Sequence, residues 1–559
     1  MLFLFNRKMK QLKRFSAYYL IGIGVLLMVL SPYVRGRFDL SEDGKYTLSE
    51  SSEIVLNSID APIRIQLYLG GDDLPGGFKR LQKETLDLLA DLKSVSAANI
   101  EVEVIDVYDE YPTEEARASL TRQLDSLGIP PTNLVHKENG KQVQQLVFPG
   151  LVISKGALKT GVLLLKGNKL ASPEEIINQS IEGLEYEIVQ GIQTLLPQER
   201  KKIGFFVEYS STPAIAQIDL VNSLKRKYDL FPVDLAASPT LDGLDAICVL
   251  NPTREFSESD AYKIDQFIVK GGKALFLVDG VKIDTLENQG LAISPRKTGL
   301  ENILFHYGLR INANLVKDAQ LSGMIPLKVG NMGNKPNIQL MPWPSFPLLN
   351  GNPKNLITKN LDAIYGRFVS TIDTISGVNL RKTPLLRTSQ YTQVAKAPSL
   401  LSFSSAGKDF DPAAYNAGMQ TAAYLVEGKF ESAYTNLTQD TNFVASSDIA
   451  SAILVVGDGD VALNGVDYAS RQALPLGFDP FMKNTFANKD FLLNAFTYLI
   501  EENSPLLARS KSIQLRPLDK AKIQADGTFY QVINIAVPLL FATLLSLGVV
   551  FYRKRKYNR

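Results

Sequence analysis

Cysteine is almost absent from this chain of 559 residues, and with only Cys248 no intrachain disulfide can form. The folded part of the chain must be held by its own core. Histidine is nearly as scarce: His136 and His306 stand in unrelated contexts, and Cys248 sits inside an apolar run with no elbow motif around it. A nucleophile activated by a neighbouring base has no candidate, and Cys248 reads as core. No G-x-x-x-x-G-K-[ST] occurs, and the nearest approach, Glu427 to Ser432, lacks a Ser or Thr after Lys429. Nucleotide hydrolysis by a P-loop is excluded, so an energy source must be another subunit. Net charge is also small. Of +2 overall, the two tails contribute +10, which leaves about −8 for residues 35–552 and argues against a nucleic-acid partner.

What is present is apolar and placed at the two ends. Residues 15–34 and 529–552 are uninterrupted hydrophobic runs; at about 1.5 Å per residue each is long enough for a hydrocarbon core roughly 30 Å thick. Arg7, Lys8, Lys10, Lys13 and Arg14 flank the first, and Arg553, Lys554, Arg555, Lys556 and Arg559 the second. The positive-inside rule then expects cytoplasmic tails at 1–14 and 553–559, two spanning helices, and an extracytoplasmic middle. A cleaved signal peptide is the competing reading of the first run, but Ser31-Pro32-Tyr33-Val34-Arg35 offers no A-x-A-like site. In the second run Gln531 and Asn534, near its outer half, suit contact with a protein partner as well as placement at the interface. The roughly 490 residues between the runs call for two or more domains.

The first, residues 35–198, opens with a capping region at Ser49, Ser52 and Glu53. A strand at Ile63 to Leu69, a helix at Phe78 to Val95, a strand at Asn99 to Val107 and a helix at Thr113 to Leu127 follow. A hairpin turning at Lys155-Gly156 and a helix from Pro173 to Leu195 complete the order β-α-β-α-β-β-α, that of a thioredoxin-like domain. The loop after its first strand, GGDDLPGGF, has no C-x-x-C, so dithiol chemistry is not expected and contact is the expected role. In the last helix Glu182, Glu185 and Glu187 lie beside an apolar stripe; a solvated or partner-facing surface is expected there ahead of proton handling.

The second, residues 199–505, alternates buried strands with helices from Lys202 to Asp279, the pattern of a parallel sheet covered on both faces and of a Rossmann-like, flavodoxin- or amidotransferase-like domain. Residues 281 to about 450 look like a long insertion, after which ILVVGDGDVAL resumes the sheet and a helix at Phe491 to Ile500 closes it; 506–528 reads as a juxtamembrane linker. Ligand crevices in such sheets lie beyond the carboxyl ends of the strands. Glu208, Tyr209, Asn251, Thr253, Asp279, Asp458 and Asp460 stand at four such ends and form the candidate cleft for a polar ligand, the plainer alternative being that Asp and Asn there make turns. Gly457-Asp458-Gly459-Asp460 is too short for a calcium loop, and no catalytic, metal or cofactor-binding residue is assigned. Trp343, the only tryptophan, lies among prolines in MPWPSFPLL; it suits an aromatic lip at a partner interface, though a loop packed onto its own domain is the stronger reading.

RFDLSEDGKYTLS after the first run, LPGGFKRL, INQSIEGLEYE, FSESDAYKIDQFIVKGGKALFLVD, LVEGKFESAY, and the ending IQLRPLDKAKI with YQVINIAVPLL and RKRKY carry a resemblance in their order. Taken together, nearly end to end, the chain resembles the gliding-motility-associated substrate-binding proteins of ABC transporters, the GldG type. The resemblance implies an auxiliary, substrate-binding-like subunit working with a multispan ABC permease and a separate ATPase in an inner membrane, with lipid and periplasmic proteins as further contacts. It also implies a second domain of the kind shared with an intraflagellar-transport subunit, without known catalysis. The chain departs from free or lipid-anchored solute receptors in having an apolar run at each end and no lipobox cysteine. The expected function is therefore a non-enzymatic, two-pass coupling subunit; the alternative is a true solute receptor for a carbohydrate or peptide.

Overall fold

The computed structural model describes residues 47–71, 74–138, 141–166, 171–197, 199–286, 290–333, 335–403, 406–407, 411–434, 442–446, 448–467, 469–501, 506 and 520–557. The first apolar run, residues 15–34, lies outside them. The chain divides into two units, Met1–Lys511 and Ser512–Arg559.

The larger unit is a mixed α/β structure with large sheets. Its first part starts with α1 (Glu50–Asn57), whose N-cap Ser49 accepts from the Ser52 amide at 3.3 Å. Then come β1 (Ile63–Leu67), α2 (Gly76–Val95), β2 (Ile100–Val104), α3 (Glu114–Ser126), β3 (Thr132–Glu138), β4 (Lys141–Val147), β5 (Gly150–Lys155), β6 (Leu158–Leu163) and α4 (Pro173–Gln193). The sheet order is β2-β1-β5-β6, with β1 and β2 parallel and β5 antiparallel to its neighbours. The β3–β4 pair is a separate hairpin. Burial alternates along β1, so Ile63, Ile65 and Leu67 face the core with the apolar stripe of α4, Ile181, Leu184, Ile188 and Ile192.

Helix α4 begins with a full capping box, Ser172 and Glu175 exchanging side-chain and backbone hydrogen bonds. Its acidic face corrects the sequence expectation of a solvated surface. Glu185 and Glu187 are buried. Glu185 Oε1 accepts from the Ser49 amide and the Ser52 hydroxyl, both at 2.7 Å, and Glu187 pairs with Lys166 at 2.8 Å. Glu182 accepts from Asn360 Nδ2 at 3.0 Å, and the Tyr186 hydroxyl donates to Asn494 Oδ1 at 3.0 Å, both across the junction to the second part. Helical periodicity distinguishes faces but not which element covers a polar one, so charge was mistaken for exposure.

The second part carries β7 (Lys202–Phe205), α5 (Ile218–Lys225), β8 (Asp229–Pro232), β9 (Ala246–Leu250), α6 (Glu258–Val269) and β10 (Lys273–Leu277). After further strands come β11 (Ser322–Met332), β12 (Lys335–Gly351), β13 (Arg381–Arg387), β14 (Thr421–Gly428), β15 (Ser451–Val456) and α7 (Asn488–Ile500). The sheet runs β11-β12-β13-β14-β15-β10-β9-β7-β8, and a short strand at Ile364–Tyr365 joins β12. Strands β8, β7, β9, β10 and β15 are mutually parallel; β14, β13, β12 and β11 extend them antiparallel. Much of the stretch read as an insertion therefore lengthens the same sheet. One core layer packs α5 and α7 on it, through Leu220, Leu224, Phe491 and Phe496, and the other packs α6, through Ile264 and Ile268. Cys248 is fully buried in β9, and burial alone pushes its thiol well above its usual range.

Trp343 does not form a lip. It is 2% exposed, in β12 and not in a loop, with Phe346, Phe403 and Phe368 rings at 4.7, 5.1 and 5.7 Å. The aromatic cluster buries the whole indole, and its Nε1 has no hydrogen-bond partner there.

In the smaller unit α8 (Lys520–Tyr557) departs from helical geometry at Asp526 and contains Pro538. Asp526–Gly548, 23 residues, is long and apolar enough to cross a membrane. Gln531 and Asn534 are exposed along it.

Candidate functional site

Because β7, β9, β10 and β15 are parallel, the seven singled-out residues do fall at one edge of the sheet. The strand order changes direction between β7 and β9, where open sheets keep their ligand crevice. Here the chain fills that place itself. After β7 a short turn at Val207–Tyr209 lays the Tyr209 ring on Phe256, centroids 3.7 Å apart and planes 11° apart. The phenol donates to Asp260 Oδ2 at 2.6 Å, and burial with that bond pushes Tyr209 up to about 12. Asp260 in turn stays below the usual carboxylate range: burial opposes this, but hydrogen bonds from Ser257 and Tyr209 and the charge of Lys263 prevail. The Thr253 amide donates to the Tyr209 carbonyl at 2.7 Å, and Thr253 Oγ1 accepts from Ser211 at 2.9 Å. Glu208 is exposed beside this lock.

At β10 and β15 three carboxylates meet. Asp279 Oδ1 accepts the Gly459 amide at 2.6 Å. Asp458 Oδ1 accepts the Asp460 amide at 2.8 Å, and its Oδ2 the Arg367 amide at 2.8 Å. Arg296 Nη2 stands 3.8 Å from Asp279 Oδ2 while its Nη1 donates to the Pro252 carbonyl at 3.0 Å. Asn251, buried and at φ 40°, packs against Gly459 so closely that a Cβ there would meet its Cγ at 2.7 Å. The Asn251 Oδ1 has no hydrogen-bond partner.

One buried carboxylate, Asp458, and two half-buried ones, Asp279 and Asp460, against two guanidinium groups leave an excess negative charge, and the low-dielectric surroundings resist it. Burial, then the charge of Asp460, push Asp279 up to about 7. Asp458 is pushed well up by burial and by Asp460 and Asp279. Asp460 is raised by burial despite Arg367 and Arg296. The cluster can therefore hold a proton near neutral pH. Its oxygens face backbone amides and guanidinium groups, the arrangement of a capped turn, and no group of His, Cys, Asp or Glu suited to hold a metal ion occurs among the described residues.

Sequence reasoning brought Asp279, Asp458, Asp460 and Asn251 into one place and missed Arg296 and Arg367, which come from the stretch set aside as an insertion. It also missed a groove of about 1170 Å³ at the opposite, amino edge of the parallel strands, lined among others by Lys201, Asp245, Lys270, Lys273, Tyr228 and Glu501. Its rim is paired: Lys201 with Asp245 at 3.3 Å, Arg381 with Glu427 at 2.8 Å, Lys227 with Glu501 at 2.5 Å. The signal was there in Lys201 and Asp245, which immediately precede β7 and β9, and in Lys270 and Lys273 around the start of β10.

Comparison with known proteins gives two family matches. A domain of unknown function, DUF7088, matches residues 42–154. No curated protein matches. Among solved structures the mmIFT52 N-terminal domain aligns at 11% identity, covering 57% of this chain and 100% of that one, with a TM-score of 0.29, too distant to carry a fold assignment. The family described as ABC-type uncharacterized transport system matches residues 200–495, more than half of the chain and the whole of the region from β7 nearly to the end of α7, and the chain belongs to that family.

Proposed function

We infer that this chain is a non-enzymatic accessory subunit of an ABC transporter, of the gliding-motility-associated, GldG type. It docks on a membrane permease driven by a separate ATPase and couples their motion to periplasmic partners. Membership of the transport-system family carries this reading. The apolar helix Asp526–Gly548 supports residence in a membrane. With residues 15–34 as a second span, the chain is a two-pass inner-membrane protein with both termini cytoplasmic and its bulk in the periplasm.

The sheet orders support the domain readings. The order 2-1-3-4 with the third strand antiparallel is that of a thioredoxin-like domain, and parallel strands in the order 2-1-3-4-5 are those of a flavodoxin-like relative of the Rossmann fold. Two side chains that could act as nucleophiles are held back: Cys248 is buried with its thiol pushed up, and Tyr209 is locked against Asp260. Co-expression with the permease and ATPase tests the proposal. All three should emerge together from detergent, and recovery of this chain alone would refute it.

The solute-receptor reading finds its room elsewhere than expected. The crevice at β7 and β9 is filled by Tyr209 and Phe256, whereas the amino-edge groove is open and lined with both charges. Such a receptor would show a ligand-dependent rise in melting temperature of the full chain, abolished by Lys273→Glu.

A further inference from the structure

The hairpin of β11 and β12 projects as a two-stranded arm from the end of the large sheet. From Pro326 to Leu340 its described side chains are exposed or half-buried. Two-stranded ribbons are marginal in water unless an apolar face is covered. This one leaves apolar groups open: Met332 is 74% and Ile338 61% exposed, with Leu340 and Val329 beside them in the exposed class. Register puts Pro326 opposite Leu340 and Lys328 opposite Ile338, so these four share one face, and Lys335 lies opposite Met332 at the tip.

The arm differs in charge from the rest of the molecule. No Asp or Glu occurs from residue 319 to 361, while the extracytoplasmic residues as a whole carry about −8. Lys328 and Lys335 are its charges, so a second arm would repel it and an anionic surface would attract it. Strand addition to its edge is discouraged as well. The free edge of β11 carries Pro326, Lys328 and a register shift between Lys328 and Gly330, the devices by which edges avoid pairing. The face is left open.

We propose that this arm is a membrane-contacting element whose tip dips into an anionic phospholipid surface, Ile338 and Leu340 entering from one face of the ribbon and Met332 from the other, with Lys328 and Lys335 against the headgroups on either side. The apolar residues enter the interfacial layer while the paired backbone of the ribbon stays at headgroup depth, as unpaired strand edges must avoid hydrocarbon. On the membrane residence proposed above, the apolar helix keeps the chain at a bilayer, so the arm meets lipid at high effective concentration and two lysines suffice.

The test uses the full chain reconstituted in vesicles, with a polarity-sensitive dye on Met332→Cys or Ile338→Cys. Cys248 is fully buried and stays unlabelled in the folded protein. Leu158→Cys, exposed at the β5–β6 turn, is the reference. In phosphatidylglycerol vesicles brominated lipid is expected to quench both arm dyes about twofold more than the reference, an excess lost in high salt and in Lys328→Glu/Lys335→Glu. Melting curves matching the parent establish folding of each variant. Dyes that stay water-exposed in every vesicle overturn the proposal, as does equal quenching in neutral lipid. Shielding that appears only when the permease is added assigns the face to a protein and overturns it too.

Discussion

The Asp279 carboxylate accepts the backbone amide of Gly459 at 2.6 Å, tying the end of β10 to the turn that follows β15. Asp458 holds the next amide, that of Asp460, and the Arg367 amide as well, so the two strand ends and the Arg367 loop meet in one charged knot. Its tightness is a consequence of glycine. Gly459→Ala would push a methyl to 2.7 Å from Asn251 Cγ and 2.9 Å from its Oδ1, with a buried side chain that has nowhere to go. A loss of roughly 1–3 kcal/mol is expected, read as a lowered melting temperature with secondary structure intact.

Proton binding at the knot gives the stability a pH dependence. Asp279 is raised to about 7 when folded, so between the ordinary carboxylate range and that value the folded state holds a proton the unfolded chain has released. Stability is full at low pH and falls as pH rises through 7, by up to about 4 kcal/mol for a shift of this size. Asp458 and Asp460 act in the same direction. Asp279→Asn keeps an acceptor for Gly459 and should flatten the slope in denaturant titrations between pH 5 and pH 8; an unchanged slope would place the proton elsewhere.

The junction between the two parts of the large unit includes a buried bond from Tyr186 to Asn494. Tyr186→Phe removes the buried hydroxyl that donates to Asn494 Oδ1 and leaves that oxygen short of a donor. A loss of about 1–3 kcal/mol is expected, with α4 amides showing faster hydrogen exchange than those of β9.

Trp343 is the only tryptophan, which makes its burial directly measurable. Its emission should be blue-shifted, resist acrylamide and iodide, and move to the red on unfolding. If bound permease changes quenching of Trp343, the indole is nearer a surface than its aromatic cluster allows.

Much of the element order was legible in the chain because periodicity and capping are local. Ile63, Ile65 and Leu67 alternate, Ser172 and Glu175 announce α4, and the Lys155-Gly156 turn sits where a hairpin closes. What failed depended on distant partners. Glu185 looked solvated because nothing near it in sequence shows that Ser49 and Ser52 reach it. The prolines around Trp343 argued for a loop. They sit in β12, a strand that continues past its partners on one side, where a missing amide hydrogen is tolerated.

The apolar run at 529–552, the single cysteine that rules out an intrachain disulfide, and the alternation that makes a parallel sheet were all legible in the chain, since each depends on composition or local spacing. Tertiary contacts alone bring Tyr209 and Phe256 together over the expected crevice and set Arg296 and Arg367 against three aspartates whose charge they only partly offset. They alone leave an arm with lysines and no carboxylates uncovered. Those outcomes follow from which surfaces meet across hundreds of residues, where burial and charge pairing act without regard to sequence distance.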